Sequence, residues 1–312
     1  MKLMKVVKAD FQILERDEQR GGLAIIEAAG RTCYKSEGNI GPGSAERFVA
    51  NCIRRKHEAM LEHGDYIFTF DDKHIYDNIA EGLQMIRDMG YQAPMLEMTC
   101  INNRPIVSGN IRAWRELFGF GSLAGAYFIG LMDPIYTQGF YDTGADPDPR
   151  VHQIFYADLN DRFEKLAHQR HTVRFTVDRG VSHEFVRHRS MSFAQESTRY
   201  CNYANDKFGT EICTVEPFYL QHEDLALWKR SAMHDEVAYM HLIHVGHTPQ
   251  EARTVLPTGT KTELVMTGNL RSWQHFFNLR ARQITGPAHP QALEVAALLY
   301  ETDKLLFPGV IV

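Results

Sequence analysis

The sequence predicts a single mixed domain of the α/β or α+β class. Helical and strand patterns follow one another along the chain without the regular βαβ alternation that a doubly wound sheet requires. The chain has 312 residues, of which 44% are hydrophobic and 23% charged, so it is long enough for one large core or two small ones. We therefore treat residues 1–312 as one domain.

Hydrophobic periodicity predicts the individual elements. Apolar residues spaced by three and four predict helices, and short apolar or alternating runs predict strands. Thr248-Pro249-Gln250-Glu251 is a capping box with proline at the first helical position, which predicts a helix through Arg253. Glycine, proline and aspartate at 144–149 predict a loop. The predicted helices are 20–33, 44–62, 74–89, 151–169, 179–189, 222–246, 269–282 and 289–306, and the predicted strands are 66–70, 171–177 and 261–265.

The charge balance and the cysteines argue against several classes of protein. The 34 basic and 39 acidic residues give a net charge of -5, which does not suit a general nucleic-acid coat. The five cysteines form no C-x-x-C pair, so neither a disulfide framework nor a zinc ribbon is indicated. No stretch is apolar enough for a signal core or a membrane span, and we expect a cytoplasmic protein without nucleic-acid or membrane partners.

One internal repeat is visible. The run 107–114 resembles the run 266–273, and each places a small hydroxyl residue and glycine before Asn-x-Arg-x-Trp, as if a helix begins there. Both copies could be strand-to-helix corners with a structural role. Alternatively, the repeat is a duplicated helix start that faces a ligand, and one copy has lost its role.

One short segment, 183–200, concentrates groups that bind phosphate. Guanidinium groups bind phosphate through two parallel hydrogen bonds, and hydroxyl groups fill the remaining acceptor positions. If a helix ends near Arg189 and a polar loop follows, these groups face one pocket. The alternative is a solvated basic face with ion pairs to Glu184 and Glu196, which is the common arrangement for a charged run. The segment contains Arg187, His188, Arg189, Ser190, Ser192, Ser197, Thr198 and Arg199.

The order of these residues matches a known signature. Arg187-His188-Arg189, seven residues and Ser197 form the R-H-R-x7-S motif of flavin-dependent thymidylate synthases, and the match continues into Thr198-Arg199-Tyr200. The runs 57–63, 253–257 and 269–281 are similar to further blocks of that family, in the same order. The chain thus resembles this family outside about 72–168. The resemblance implies a central sheet flanked by helices, with an insertion at about 72–168.

The resemblance also implies a reaction, the methylation of dUMP to dTMP on an enzyme that binds FAD. The carbon donor would be 5,10-methylenetetrahydrofolate, and NADPH or NADH would be the reductant. Arg280 matches the catalytic arginine that polarises the uracil ring and favours loss of its N3 proton. The family further implies a homotetramer in which each site is shared between subunits, with no metal.

The same matching assigns the binding residues. The implied substrate residues are Glu184, Arg187, Gln195, Ser197, Thr198, Arg199, Arg253 and Arg280. The implied flavin residues are His57, His188, Arg189, Ser190, Gln195, Glu196, Asn269, Arg271 and His275. Because Asn269 and Arg280 are about three helical turns apart, they should share a face, whereas Arg271 should lie opposite Arg280.

Two other classes of function remain open on the residues alone. A metal-dependent hydrolase of nucleotides or phosphoesters could use His57, His63, His183 and His188 as ligands. A regulatory protein could bind a nucleotide through the same arginines without catalysis. The run 119–124 fits G-x-G-x-x-A, but it follows a helical pattern and lacks the strand that a dinucleotide-binding fold requires.

Overall fold

The computed structural model of the protein describes residues 4–121, 123–128, 130–140 and 147–312. Strands and helices alternate irregularly, which confirms the predicted mixed fold class. The described strands are β1 (Lys5–Val7), β2 (Asp10–Ile13), β3 (Asp65–Phe70), β4 (Leu96–Ile101), β5 (Arg104–Asn110), β6 (Val151–Ile154), β7 (Arg170–Asp178), β8 (Ser192–Gln195), β9 (Cys213–Val215) and β10 (Lys261–Asn269). The helices are α1 (Leu23–Tyr34), α2 (Ser44–Arg54), α3 (Lys73–Asp88), α4 (Ile111–Gly119), α5 (Leu123–Ala126), α6 (Pro134–Thr137), α7 (Arg162–His168), α8 (Arg179–Phe185), α9 (His222–His244), α10 (Pro249–Ala252), α11 (Leu270–Arg280) and α12 (Pro290–Leu306).

The strands form two four-stranded antiparallel sheets and a short parallel pair, β1 with β9. The second sheet has the order β2-β7-β10-β8, and β7 pairs with β10 along its whole length, from Arg170 opposite Asn269 to Asp178 opposite Lys261. Phe175 of β7 packs with Phe185 of α8 and Phe276 of α11, so the aromatic core fixes both helices on this sheet. The sheet thereby places the ends of α8 and α11 side by side.

The predicted insertion builds most of the first sheet, whose order is β6-β3-β5-β4. Its core includes Phe68 of β3, Trp114 of α4 and Phe128. The ring centroids of Trp114 and Phe128 are 4.5 Å apart, which is a usual distance for packed aromatic rings. Instead of one central sheet, the chain therefore has two sheets of equal strand number.

The two sheets repeat an arrangement of three strands. In each, the second strand of a central antiparallel pair (β5 or β10) also pairs with an edge strand (β4 or β8) and leads directly into a helix. The fourth strand differs, because β6 follows its three strands in the chain whereas β2 precedes them. Asn110 caps α4 by accepting a bond from Ala113 N (2.8 Å), and Asn269 caps α11 by accepting one from Ser272 N (3.0 Å). Trp114 and Trp273 are fully buried. Both copies of Asn-x-Arg-x-Trp are therefore strand-to-helix corners, and the duplication extends to the surrounding sheet.

A helical layer and a buried ion network join the two sheets. In α1, Ile26 packs into the first core, whereas Ala29 packs on Val265 of the second sheet. The carboxylate of Asp65, at the start of β3, forms ion pairs with Arg16 and with Arg170 of β7 (3.7 Å). The first sheet is thus tied to the second by a desolvated electrostatic contact.

Some element predictions were wrong for identifiable reasons. The predicted helix 151–169 is β6, a 3₁₀ turn at Tyr156–Asp158 and α7, because residues 151–154 pair with β3 and tertiary pairing overrides the local pattern. The predicted helix 44–62 ends at Arg54, since Lys56 takes a left-handed backbone with φ of 58°. Of the predicted loop 144–149, residues 144–146 lie outside the described residues, and 147–149 form neither helix nor strand. No helix of the described ranges has both the length and the apolar content for a membrane crossing.

Candidate functional site

The ends of α8 and α11 gather five of the predicted residues into what we call the arginine cluster, Arg187, His188, Arg189, His275 and Arg280. A helix cap and an aromatic contact position the two helices. Asp178 caps α8 through Val181 N (2.7 Å), and the Phe185 and Phe276 rings, 4.9 Å apart, hold the two helices together. His188 lies 5.8 Å from His275, measured between ring centroids.

Arg280 is held from three sides. Its Nη1 donates to Glu184 Oε2 (2.5 Å), its Nη2 to the Glu184 carbonyl (3.0 Å), and its Nε to His188 Nε2 (3.3 Å). A guanidinium has five N–H donors, so two of them, one on each Nη, remain for a ligand. The guanidinium is therefore fixed in place and keeps two donors for a ligand.

His188 is a neutral acceptor in this cluster. It is 5% exposed, and burial lowers its pKa to about 4, with further lowering by the charges of Arg280 and His275. The geometry agrees, because arginine can only donate and His188 Nε2 must then carry no proton. The cluster thus keeps an uncharged imidazole beside several guanidinium groups.

This buried imidazole makes the stability of the fold depend on pH. Between pH 6.5 and about 4, the unfolded chain binds a proton at His188 that the native chain does not bind. The stability from this residue is therefore present above pH 6.5 and is lost as the pH falls to about 4, by at most about 3 kcal/mol. We expect His188→Gln to flatten this part of the profile, measured as the free energy of unfolding in urea. His234→Gln, an exposed histidine of α9, is the control, and equal slopes in the two variants would contradict the assignment.

Four of the predicted anion-binding arginines have no carboxylate partner. Among the described residues, no Asp or Glu lies within ion-pair distance of Arg187, Arg189, Arg199 or Arg253, and all four are exposed. If this charged segment were a solvated basic face, its arginines would pair with Glu184 and Glu196. Instead, Glu184 pairs with Arg280 and Glu196 with Lys261. Exposed guanidinium groups without internal partners are available to an external anion.

The polar loop expected to follow Arg189 is interrupted by a strand. β8 (Ser192–Gln195) pairs with β10 and separates Arg187 and Arg189 from Ser197 and Arg199. Four residues of strand span about 13 Å. Within one chain, the two groups of cations therefore lie at opposite ends of a strand.

Gln195 and Glu196 are engaged inside the protein. Gln195 Nε2 donates to Ser182 Oγ (2.9 Å), and Glu196 accepts from Tyr203 Oη (2.9 Å) and from Lys261 Nζ (2.8 Å). Glu196 is 2% exposed, so it balances the buried ammonium of Lys261. Their predicted contacts with nucleotide or flavin stay predictions.

Three hydroxyl residues of this segment, Ser190, Ser197 and Thr198, differ in exposure and in hydrogen bonding. Ser197 Oγ accepts from Arg199 N (3.3 Å), and Ser197 N donates to Cys33 O (3.0 Å). Thr198 is buried, whereas Ser190 is exposed at the turn before β8.

Asn269 and Arg271 point away from the arginine cluster. Asn269 is the N-cap of α11. Its Nδ2 donates to Ala167 O (3.1 Å), and Arg271 Nη1 pairs with Glu97 Oε2 (3.4 Å) of β4. These two flavin candidates thus contact the insertion, and the predicted shared face of Asn269 and Arg280 stays a prediction.

His57 lies on a separate cleft of about 930 Å³, which we call the His57 cleft. The cleft also reaches Tyr200, whose ring lies 5.4 Å from that of Tyr34 and under the guanidinium of Arg199, at 5.5 Å. The structure thus brings His57 to the Thr198-Arg199-Tyr200 part of the motif. No sequence motif predicted a site role for several polar residues of this cleft. For one of them, Arg112, the repeated Asn-x-Arg was a signal. These residues are Tyr34, Arg55, Lys56, Arg112 and Arg115.

The four histidines proposed for a hydrolase do not gather. His63 is buried with Nδ1 at 2.7 Å from Thr267 Oγ1, whereas His188 contacts Arg280. In the described part of the chain, no three His, Cys, Asp or Glu side chains are placed to hold a metal ion.

Exposed guanidinium groups around a neutral imidazole are an arrangement that suits the binding of phosphate esters. Comparison with known sequences points to one family. Residues 161–308 match the sequence family described as thymidylate synthase complementing protein, and the chain is similar to proteins named flavin-dependent thymidylate synthases.

Three of these relatives show the extent of the likeness. The protein from Pyrococcus furiosus is 31% identical over 112 residues, covering 35% of this chain and 46% of its own. The protein from Mycolicibacterium gilvum is 29% identical over 163 residues (46% and 64%), and that from Corynebacterium aurimucosum is 33% identical over 143 residues (42% and 57%). The chain thus spans about half the length of the relatives it matches. A solved UMP/dUMP methylase, PolB from Streptomyces cacaoi, is 12% identical over 99% of this chain and 95% of its own, with a TM-score of 0.44.

Proposed function

We propose that this protein is a flavin-dependent thymidylate synthase that converts dUMP to dTMP, with 5,10-methylenetetrahydrofolate as carbon donor and NADPH or NADH as reductant. One observation carries the proposal. The R-H-R-x7-S arginines have no internal carboxylate partner, while Arg280 is fixed with two free donors beside them. The family match over 161–308 supports the same reading.

Arg280 would do the polarising work on the substrate. Two parallel N–H donors suit the carbonyl oxygen and the deprotonated N3 of a uracil ring, and they stabilise the negative charge that develops there. Glu184 and His188 orient the fork, because each accepts a hydrogen bond from it. Arg187, Ser197, Arg199 and Arg253 would bind the phosphate and sugar of dUMP.

The residues present fit a flavin dinucleotide. Arg189 and Ser190 are exposed donors suited to its phosphates, and the exposed imidazole of His275, whose ring lies 5.8 Å from that of His188, offers a flat surface. FAD, once reduced by NADPH or NADH, would supply the hydride that the methylation needs. His57, Gln195, Glu196, Asn269 and Arg271 are further candidates for its contacts.

We further propose a homotetramer with shared sites, in which residues 1–312 act as one unit. Arg187 and Arg199 lie at opposite ends of β8. Because about 13 Å of strand separates the backbone of the two groups, a second chain that supplies one of them would complete a compact phosphate site.

The test is reconstitution of the reaction. The purified protein should be yellow or should bind added FAD, and it should form dTMP from dUMP, methylenetetrahydrofolate and NADPH. Omitting each component in turn, and repeating the assay with a chelator, separates this activity from a metal-dependent hydrolase. Binding of dUMP without NADPH consumption would instead indicate a regulatory protein. A colourless protein that cannot be loaded with flavin and ignores dUMP would refute the proposal.

A further inference from the structure

We infer that Lys261 and Tyr203 are positioning residues, which act through Glu196 to fix the loop that offers Ser197 and Arg199 to the phosphate of dUMP. This loop, which we call the motif loop, lies between Glu196 and Tyr203. The identity of the ligand rests on the proposed function, whereas the account of how the loop is held does not.

One side-chain hydrogen bond closes the base of the motif loop. Glu196 Oε1 accepts from Tyr203 Oη (2.9 Å), and the two residues are only 2% and 6% exposed. Between them the backbone turns tightly, because Ser197 O accepts from Tyr200 N (3.2 Å) and from Cys201 N (2.9 Å). The bond between Glu196 and Tyr203 therefore joins the chain before the turn to the chain after it.

Lys261 holds the other oxygen of the same carboxylate. Its Nζ donates to Glu196 Oε2 (2.8 Å) and to Glu263 Oε1 (2.9 Å), and Glu263 also pairs with Lys35 at 2.8 Å. Burial acts to lower the pKa of the Lys261 ammonium, but the two carboxylates raise it, so the residue stays charged. Each oxygen of Glu196 thus receives a hydrogen bond, and removing either donor leaves a buried acceptor without it.

The same residues tie the motif loop to the end of α1. Ser197 N donates to Cys33 O (3.0 Å), and Lys35, two residues further on, pairs with Glu263. Glu196 N also donates to Glu263 O (2.8 Å). The start of the loop is therefore held both through its backbone and through the side chain of Glu196.

Close packing does not replace these bonds. A cavity of about 460 Å³ borders the network, and Glu196, Tyr203, Lys261 and Glu263 are among its lining residues. A carboxylate beside open space can move when one of its donors is removed. The position of the motif loop therefore depends on its hydrogen bonds and ion pairs.

The exposed arginine of the motif loop benefits from a fixed base. Arg199 is exposed, and its N donates to Ser197 Oγ (3.3 Å). A loop that is ordered before binding loses less entropy when it takes up a ligand. Because contacts to the phosphate are alike in the bound substrate and in the transition state, a displaced loop should raise KM for dUMP and leave kcat nearly unchanged.

The test compares Lys261→Met and Tyr203→Phe with the control Lys73→Met, which removes an exposed ion pair of the insertion with Asp77 (2.6 Å). Steady-state dTMP formation gives KM and kcat, and titration calorimetry gives the affinity for dUMP. We expect Lys261→Met to raise KM and weaken dUMP binding about tenfold, and Tyr203→Phe about threefold, with kcat within about twofold of the parent. Lys73→Met should change neither constant.

Hydrogen exchange of the ligand-free protein tests the motif loop without any activity. The amides of Ser197, Tyr200 and Cys201 donate to backbone oxygens, so they report whether the loop is closed. In Lys261→Met, exchange of a peptide that covers the loop should be about threefold faster or more, while exchange of β7 stays as in the parent. A variant that is merely less stable would speed both.

The outcomes separate the inference from the proposed function. Unchanged KM and dUMP affinity in Lys261→Met would overturn the inference, even if the parent makes dTMP. A loss of kcat alone, or equally faster exchange of β7, would assign the network to stability and would also overturn it. If the parent makes no dTMP, but binds dUMP more tightly than Lys261→Met does, the proposed function fails and the positioning role stands. If the parent neither makes dTMP nor binds dUMP, both fail.

Discussion

Replacing Arg280 by alanine is expected to lower the rate of dTMP formation by about 100- to 1,000-fold while FAD stays bound. Three hydrogen bonds to Glu184 and His188 fix the Arg280 guanidinium, which keeps two N–H donors for the substrate. Alanine offers no donor, so the rate should fall. These donors act on charge that develops in the ring, so kcat should fall much more than KM rises. The measurement is steady-state dTMP formation, with flavin content read from the absorption spectrum.

Arg282→Ala is the matched control for this change. Arg282 lies two residues further on and bonds to Asn278 Oδ1 and the Val312 carbonyl, both at 3.0 Å, so it does not take part in the arginine cluster. It should retain nearly full turnover. Arg280→Lys keeps the charge but loses the fork, and it should recover only part of the rate. Full turnover of Arg280→Ala would show that another residue polarises the ring.

The second large effect concerns stability. Asp65→Ala should lower the free energy of unfolding by about 3–5 kcal/mol, because it leaves buried arginines without their counter-charge. Asp65 is almost completely buried between Arg16 and Arg170, and Tyr156 Oη lies 3.4 Å from its Oδ1. The midpoint and slope of urea unfolding would measure the change.

Asp71, near the other end of β3, gives the control for the same strand. Its pair with His152 is at the surface, with side chains 66% and 46% exposed, so Asp71→Ala should cost less than about 0.5 kcal/mol. A similar loss for both variants would mean that general strand disruption, and not the buried charge, explains the result. A loss below about 1 kcal/mol for Asp65→Ala would show that the network is solvated or dispensable.

The sequence predicted elements whose pattern is local. α9 and α12 have long helical patterns, and β7 alternates clearly, so all three were found with small boundary errors. The run 151–154 was read as helix because its partner β3 lies about 85 residues earlier in the chain, and no local signal marks that pairing. Long-range pairing also hid the first sheet.

The candidate site was predictable where a motif is contiguous. The R-H-R segment selected Arg187, His188 and Arg189 without any structure, and the structure places His188 in contact with Arg280. Two internal partners of this pair, Thr262 for Gln195 and Lys261 for Glu196, are more than sixty residues away, so no local pattern could predict them. The His57 cleft needs α2, α4 and Tyr200 together, and only the fold brings them to one place.

The position of β2 limits how this chain can be divided. Residues 10–13 form the edge of the second sheet, although the rest of that sheet lies in the family-matching part of the chain. A fragment cut at residue 161 would expose the hydrogen-bonding groups of β7 from residue 173 to 176 and uncover Val265, on which Ala29 packs. An unpaired, apolar strand edge is a template for aggregation. The boundary of sequence similarity is therefore not a boundary at which the polypeptide can be separated.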